Sequence, residues 1–250
     1  MKYEYTILTE MLKAGVHFGH RTSRWHPNMG PYIFGDRGGV HILNLELTQK
    51  KLEEAGEFLR KLGMEGGTLL FIGTKRQAQE IVKQKAQECG MPYVVLRWVG
   101  GMLTNFSTVR NRVGYFIDLI KKQESGELKK YTKKEQSEFG KEIESLRRKF
   151  EGLVNLTKMP DAIFIVDIKQ EKTALTEAKK RNIPVIAVCD NNVNPEDIDF
   201  VIPANDDALK SVEMMVDFVA ESFKEGRKLQ EPREQMKKIE EEKRADKEEK

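Results

Sequence analysis

The stretch Thr68-Leu69-Leu70-Phe71-Ile72-Gly73-Thr74-Lys75-Arg76 decides the fold. From Thr68 to Ile72 it is apolar or β-branched without alternation, so a strand built from it needs cover on both faces. A helical run from Gln77 to Cys89, ended by Gly90, separates it from the next apolar run, Tyr93 to Leu96. Strands that are apolar along their whole length and alternate with helices predict a parallel sheet between two helical layers. The alternation returns at Ala162 to Val166, a helix over about 173–181, Val185 to Val188 behind Pro184, and the short run Phe200 to Ile202. A last helix shows one apolar face at Leu209, Val212, Met215, Val216 and Val219. Upstream, Val40 to Leu43 reads as an extended run, and Leu52, Ala55, Leu59 and Leu62 keep helical spacing until Gly63. Five parallel strands are expected, at 40–43, 68–72, 93–96, 162–166 and 185–188, with 200–202 as a short edge.

The pattern leaves the sheet between 107 and 153. Val109, Val113, Phe116 and Ile120 recur with 4,3,4 spacing, and Phe139, Ile143, Leu146, Phe150 and Leu153 with 4,3,4,3. These are heptad seams on two helices. The polar run 123–134, with Ser125-Gly126 inside it, then becomes the tip of an antiparallel coiled-coil hairpin. The expected organisation is an α/β sandwich of 1–106 and 154–223, a hairpin insertion at 107–153, and a charged, disordered tail at 224–250.

Charge is polarised along the 250 residues. The whole chain carries only +3, but counting Lys and Arg against Asp and Glu gives +6 over 97–160 and −7 over 161–223. A basic middle beside an acidic third suggests that one face meets a polyanion. Two distant cysteines, Cys89 and Cys189, support neither a disulfide framework nor a cysteine zinc motif, and fit buried thiols in a reducing compartment. No apolar run approaches the roughly 20 residues of a membrane span, and a cytoplasmic protein is expected.

Three stretches carry functional chemistry. In Arg97-Trp98-Val99-Gly100-Gly101-Met102-Leu103-Thr104-Asn105, glycines fall at a strand-to-helix turn flanked by a forked cation and a flat ring, and Arg110 and Arg112 extend the cationic reach. The segment from Val16 to Pro27 interleaves His17, His20, Arg21, Arg24, Trp25 and His26, the mixture of bases and rings that an RNA surface needs. Reading its three histidines as metal ligands lacks an accompanying cysteine or spaced carboxylate. Gly73-Thr74-Lys75-Arg76 sits where open α/β sheets place ligands, yet neither GxxxxGK[ST] nor GxGxxG is present, so Lys75 and Arg76 are read as contacts to a backbone phosphate. Asp167, Asp190, Asp206 and Asp207 follow strand ends. They permit an enzyme reading as magnesium ligands, but no phosphate cradle or base accompanies them, and caps and turns explain them better.

Together with Lys13-Ala14-Gly15-Val16-His17-Phe18-Gly19-His20 and Pro160-Asp161-Ala162, these motifs resemble bacterial-type ribosomal protein two of the small subunit, in order and spacing, from about Thr9 to Gly226. The resemblance implies a flavodoxin-like doubly wound parallel sheet carrying a coiled-coil protrusion, and a structural protein without catalytic activity. It implies binding to 16S ribosomal RNA between head and body, and help in seating the S1-type protein that captures messenger RNA. The RNA-binding candidates are His17, His20, Arg21, Arg24, Trp25, Lys75, Arg76, Arg97, Trp98, Asn105, Arg110 and Arg112. No cofactor, resident metal, membrane contact or homo-oligomer is expected, and the protein should be cytoplasmic and ribosome-bound.

Overall fold

Complete burial of four short strands organises the chain. The computed structural model describes residues 2–248, and side chains over 7–230. Helix α1, Lys2–Ala14, leads into strand β1, Phe18–Arg21, then two 3-10 turns, β2, Ile33–Arg37, and β3, Val40–Leu43. Helix α2, Leu45–Met64, follows; Asn44 caps it, its side chain accepting from the amides of Glu46 and Leu47 at 3.0 and 3.3 Å. Then come β4, Leu69–Ile72, α3, Gln79–Glu88, β5, Tyr93–Val94, α4, Phe106–Glu124, and α5, Lys133–Phe150. The chain finishes with β6, Ala162–Val166, α6, Lys172–Lys180, β7, Val185–Cys189, β8, Phe200–Pro203, and α7, Leu209–Glu248.

The main sheet has five parallel strands in the order β5-β4-β6-β7-β8. The order reverses once, between β4 and β6, which is the doubly wound, flavodoxin-like pattern. Side chains alternate across it. Leu69, Phe71, Ala162, Phe164, Val166, Ile186 and Val188 pack with α2, α3 and α7 on one face. Leu70, Ile72, Ile163, Ile165, Val185 and Ala187 pack with α6 and the base of the α4–α5 pair on the other. Every residue of β4, β6 and β7 is buried, as parallel strands between two helical layers require.

The structure corrects the strand assignment at both ends. Val40–Leu43 is absent from the parallel sheet and forms the centre of a small antiparallel sheet, β1-β3-β2. Gly38 and Gly39, at φ 61° and 77°, make a two-residue turn that binds β3 to β2, and such a turn can join only antiparallel neighbours. β3 is accordingly half-buried. Phe200–Pro203 is instead a full member, in register with β7 from Ile186↔Phe200 to Cys189↔Pro203. Its proline is tolerated because the strand lies at the sheet edge.

Of the expected seam, Val109, Val113, Phe116 and Ile143 are buried while Ile120, Phe139 and Leu146 are half-buried; Leu119 is also buried, and Tyr115 donates to Glu142 at 3.2 Å across the pair. At its base Phe150, Leu153 and Leu156 join the cluster under the sheet. α7 continues through part of the segment read as a tail. Lys224 bridges Glu88 and Glu221, and Gly226 brings α7 against the backbone of Arg60, where a Cβ would meet the carbonyl oxygen at 2.1 Å. The rest of the expected tail, beyond Gln230, lies outside the described side chains. No helix among the described residues is long and apolar enough to cross a membrane.

Removing 112–148 and closing the gap with a short loop keeps the base residues Val109, Phe150, Leu153 and Leu156. The product is expected to melt cooperatively, and loss of the cooperative transition would show that the outer hairpin belongs to the core.

Candidate nucleic-acid interface

All five parallel strands deliver their following loops to one end of the sheet, where ligands of doubly wound proteins bind. Here that crevice is filled from within. Lys75, after β4, is 14% exposed, and its ammonium lies 2.8 Å from Asp206, 2.5 Å from Asp207 and 3.4 Å from Asp167. Thr74 donates to Glu171 in a short hydrogen bond and accepts from Gln170 at 3.0 Å. From β1, the His20 ring meets Asp190 at 2.7 Å and Asp207 at 3.4 Å, while its backbone amide donates to Asp190 and Asn191. The small antiparallel sheet is thereby pinned over the ends of β7 and β8.

This cluster sets four carboxylates against one ammonium, and it holds protons. Its ligand atoms on His20, Asp190 and Asp206 lie within 4.8 Å of one another, a spacing that a metal ion also requires. Lys75 already supplies the positive charge between Asp206 and Asp167, which opposes the magnesium reading. Burial works against the Lys75 charge, but its bonds to Asp206 and Asp207 outweigh that and raise its pKa. Burial and the neighbouring Asp167 push Asp206 up to about 7. The hydrogen bond to Asp190 raises the His20 imidazole, against opposing burial. A raised histidine stabilises the fold below its ordinary pKa near 6.5, and this contribution fades as pH rises through the folded value. The raised Asp206 acts in the same direction, since the folded state retains a proton that the unfolded chain releases nearer pH 4.

Wild type and His20→Gln, melted side by side from pH 5.5 to 8.5, should therefore differ by about 1–3 kcal/mol at the acid end, with the gap shrinking toward pH 8.5. A constant gap would mean that the His20 charge contributes nothing.

The turn from Arg97 to Asn105 is fixed by a residue far away in sequence. One carboxylate oxygen of Glu177, on α6, accepts from the Trp98 indole at 3.1 Å and the Gly101 amide at 2.8 Å. The other accepts from the Leu103 amide at 3.0 Å and from the Thr104 amide and hydroxyl, both at 3.1 Å. Arg181, one helical turn on, donates to the carbonyls of Leu103 at 3.1 Å and Thr104 at 2.6 Å. Burial pushes the Glu177 carboxyl up, but the bonds from Trp98, Thr104, Gly101 and Leu103 prevail and hold it below the ordinary carboxylate range. α6 thus grips both the donors and the acceptors of the turn.

The structure sorts the twelve candidates. Arg21, Arg24, Arg76, Arg97 and Arg112 are exposed, with no ion pair among the described residues. Trp25 is 43% exposed, with its ring edge-on to His41 at 5.4 Å. Arg110 is half-buried, with one guanidinium nitrogen unpartnered among the described residues. Asn105 is exposed and accepts from Thr108 at 2.8 Å. Burial lowers the pKa of His17, which favours its neutral form. Lys75 and His20 belong to the acid cluster, and Trp98, 8% exposed, is a brace rather than an open ring. Strand polarity brings Arg76 and Arg97 to the same end as Arg21 and Arg24, which His20 ties to Asp190.

Four residues escaped the sequence reading. Lys169 and Lys172 follow β6 at this same end and are exposed, without an ion pair among the described residues. Glu177 and Arg181 grip the turn. A carboxylate among the buried Ala174, Leu175 and Ala178 was the available signal for Glu177.

The fold and this surface define an α/β protein whose sheet end is filled from within and rimmed by exposed arginines. The sequence model described as ribosomal protein S2 matches residues 11–226. A small ribosomal subunit protein uS2 from Dictyoglomus thermophilum is 44% identical over 227 residues, covering 91% of this chain and 92% of the relative. One from Dictyoglomus turgidum is 45% identical over the same shares. The chain belongs to the ribosomal protein S2 family, whose members are structural proteins rather than enzymes.

Proposed function

We propose that this ribosomal protein is a structural constituent of the small subunit, ribosome-bound in the cytoplasm, and that it binds 16S ribosomal RNA through the carboxyl end of its parallel sheet. The supporting observation is a separation of charge. The acids at that end are engaged with Lys75 and His20, while Arg21, Arg24, Arg76 and Arg97 remain exposed and unpaired among the described residues. Arginine forks suit phosphate oxygens, and binding releases the counterions condensed on the RNA. Lys169, Lys172, Arg110 and Arg112 extend the same contact, with Trp25 as its exposed ring. Family resemblance supports the finer reading that the protein sits between head and body as a single copy and helps seat the S1-type protein that captures messenger RNA.

The rigid turn should outweigh the lysine-rich hairpin tip. Lys129 and Lys130 are exposed, and Lys130 already pairs with Glu127 at 2.8 Å. Exposed lysine ion pairs contribute about 0–1 kcal/mol, whereas an arginine fork is pre-organised and loses less freedom per hydrogen bond formed. In competition between tagged copies for assembly in cells, Arg97→Ala is expected to lose more incorporation than Lys129 and Lys130 neutralised together, with its melt unchanged. Incorporation equal to wild type would remove Arg97 from the interface, and a collapsed melt would assign it to the fold.

A further inference from the structure

We propose that Glu177 is a positioning residue for RNA recognition: a buried carboxylate that touches no RNA, yet sets the geometry from which Arg97 reaches it. The proposal rests on the RNA reading of the sheet end. Arg97 itself has no partner among the described residues, so its direction is set by the backbone on which it stands. The following residue, Trp98, is held by its indole, and the amides of Gly101, Leu103 and Thr104 converge on the same carboxylate. Arg181, just past the end of α6, holds the carbonyls of Leu103 and Thr104. The cation is thus presented from a turn whose freedom was removed by folding, and binding need not remove it again.

Charge makes the proposal sharp. A carboxylate near a polyanion should repel it, so if Glu177 acted only through its field, neutralising it would tighten binding. If it acts by positioning, neutralising it weakens binding. In Glu177→Gln the carboxamide nitrogen faces either the Trp98 indole and the Gly101 amide or the amides of Leu103 and Thr104, none of which can accept, and that half of the turn is released.

The test is rebinding of full-length protein to salt-washed small subunits depleted of it, measured at several salt concentrations. The proteins are wild type, Arg97→Ala, Glu177→Gln and the double variant. Arg97→Ala should weaken binding at least fivefold and flatten the salt dependence by slightly less than one unit of slope. Glu177→Gln should weaken it by a similar factor and flatten the slope likewise, and the double variant should fall no more than about twofold below the weaker single. Thr104→Val removes only one hydroxyl bond to Glu177 and serves if Glu177→Gln does not fold; it should weaken binding less, again without adding to Arg97→Ala. Unchanged or tighter binding by Glu177→Gln, or losses that multiply in the double variant, overturns the positioning role while leaving the Arg97 contact standing. No loss in Arg97→Ala overturns the contact and the positioning role together.

Discussion

The Glu177 carboxylate, buried on α6 and accepting five hydrogen bonds from the turn between β5 and α4, is the constraint on which the upper half of the molecule depends. Without those acceptor lone pairs, the Leu103 amide and the Trp98 indole would be buried without partners, at about 1–3 kcal/mol each, and the half-buried amides of Gly101 and Thr104 would lose theirs. The same carboxylate fixes where α4 begins, and hence where the hairpin leaves the sheet. Because folding depresses its pKa, this support is complete above the ordinary carboxylate range and fades as pH falls through the folded value. The Lys75 cluster does the equivalent work beneath, joining the ends of β4, β6 and β8 and, through His20, holding the antiparallel sheet in place.

These two devices also explain why a sheet of this topology serves as a scaffold. The reversal between β4 and β6 usually opens a crevice for a phosphate-bearing ligand. In this chain Thr74, Glu171 and Gln170 satisfy one another across that position, Lys75 pairs with Asp206 and Asp207, and β1 lies over the neighbouring strand ends. Asp167, at φ 68°, takes a strained conformation to turn its carboxylate toward Lys75 while accepting from the amide of Lys169 at 2.9 Å. Carboxylates that an enzyme would leave facing a substrate are engaged by Lys75 and His20, and the arginines around the rim are without an ion pair among the described residues.

How much of this was legible depended on the range of the interaction. Leu69–Ile72, Ala162–Val166 and Val185–Cys189 could be read because full burial leaves an unbroken apolar run. Val40–Leu43 was misplaced because a four-residue apolar run does not announce its partner, and the Gly38-Gly39 turn outweighed the α2 crossover. Phe200–Pro203 is expected only as a short edge because its apolar run is three residues long, and its pairing with β7 extends it by one. The motif Arg97 to Asn105 was found, but its division of labour was hidden. Trp98 serves the fold through Glu177, 79 residues away, and Lys75 serves it through Asp206, 131 residues away. Residue type marks a side chain as able to meet RNA, and only the tertiary partner decides whether it is free to do so.

The central claim, that the carboxyl end of the sheet faces ribosomal RNA, is tested most directly by arginine-selective phenylglyoxal labelling of the free protein and of intact small subunits, read by mass spectrometry. Arg21, Arg24, Arg76 and Arg97 should react in the free protein and be protected in the subunit, whereas Arg148, exposed on α5 and paired with Glu144, should change far less. Equal labelling of the four rim arginines in both states, or protection confined to Arg148, would contradict the account.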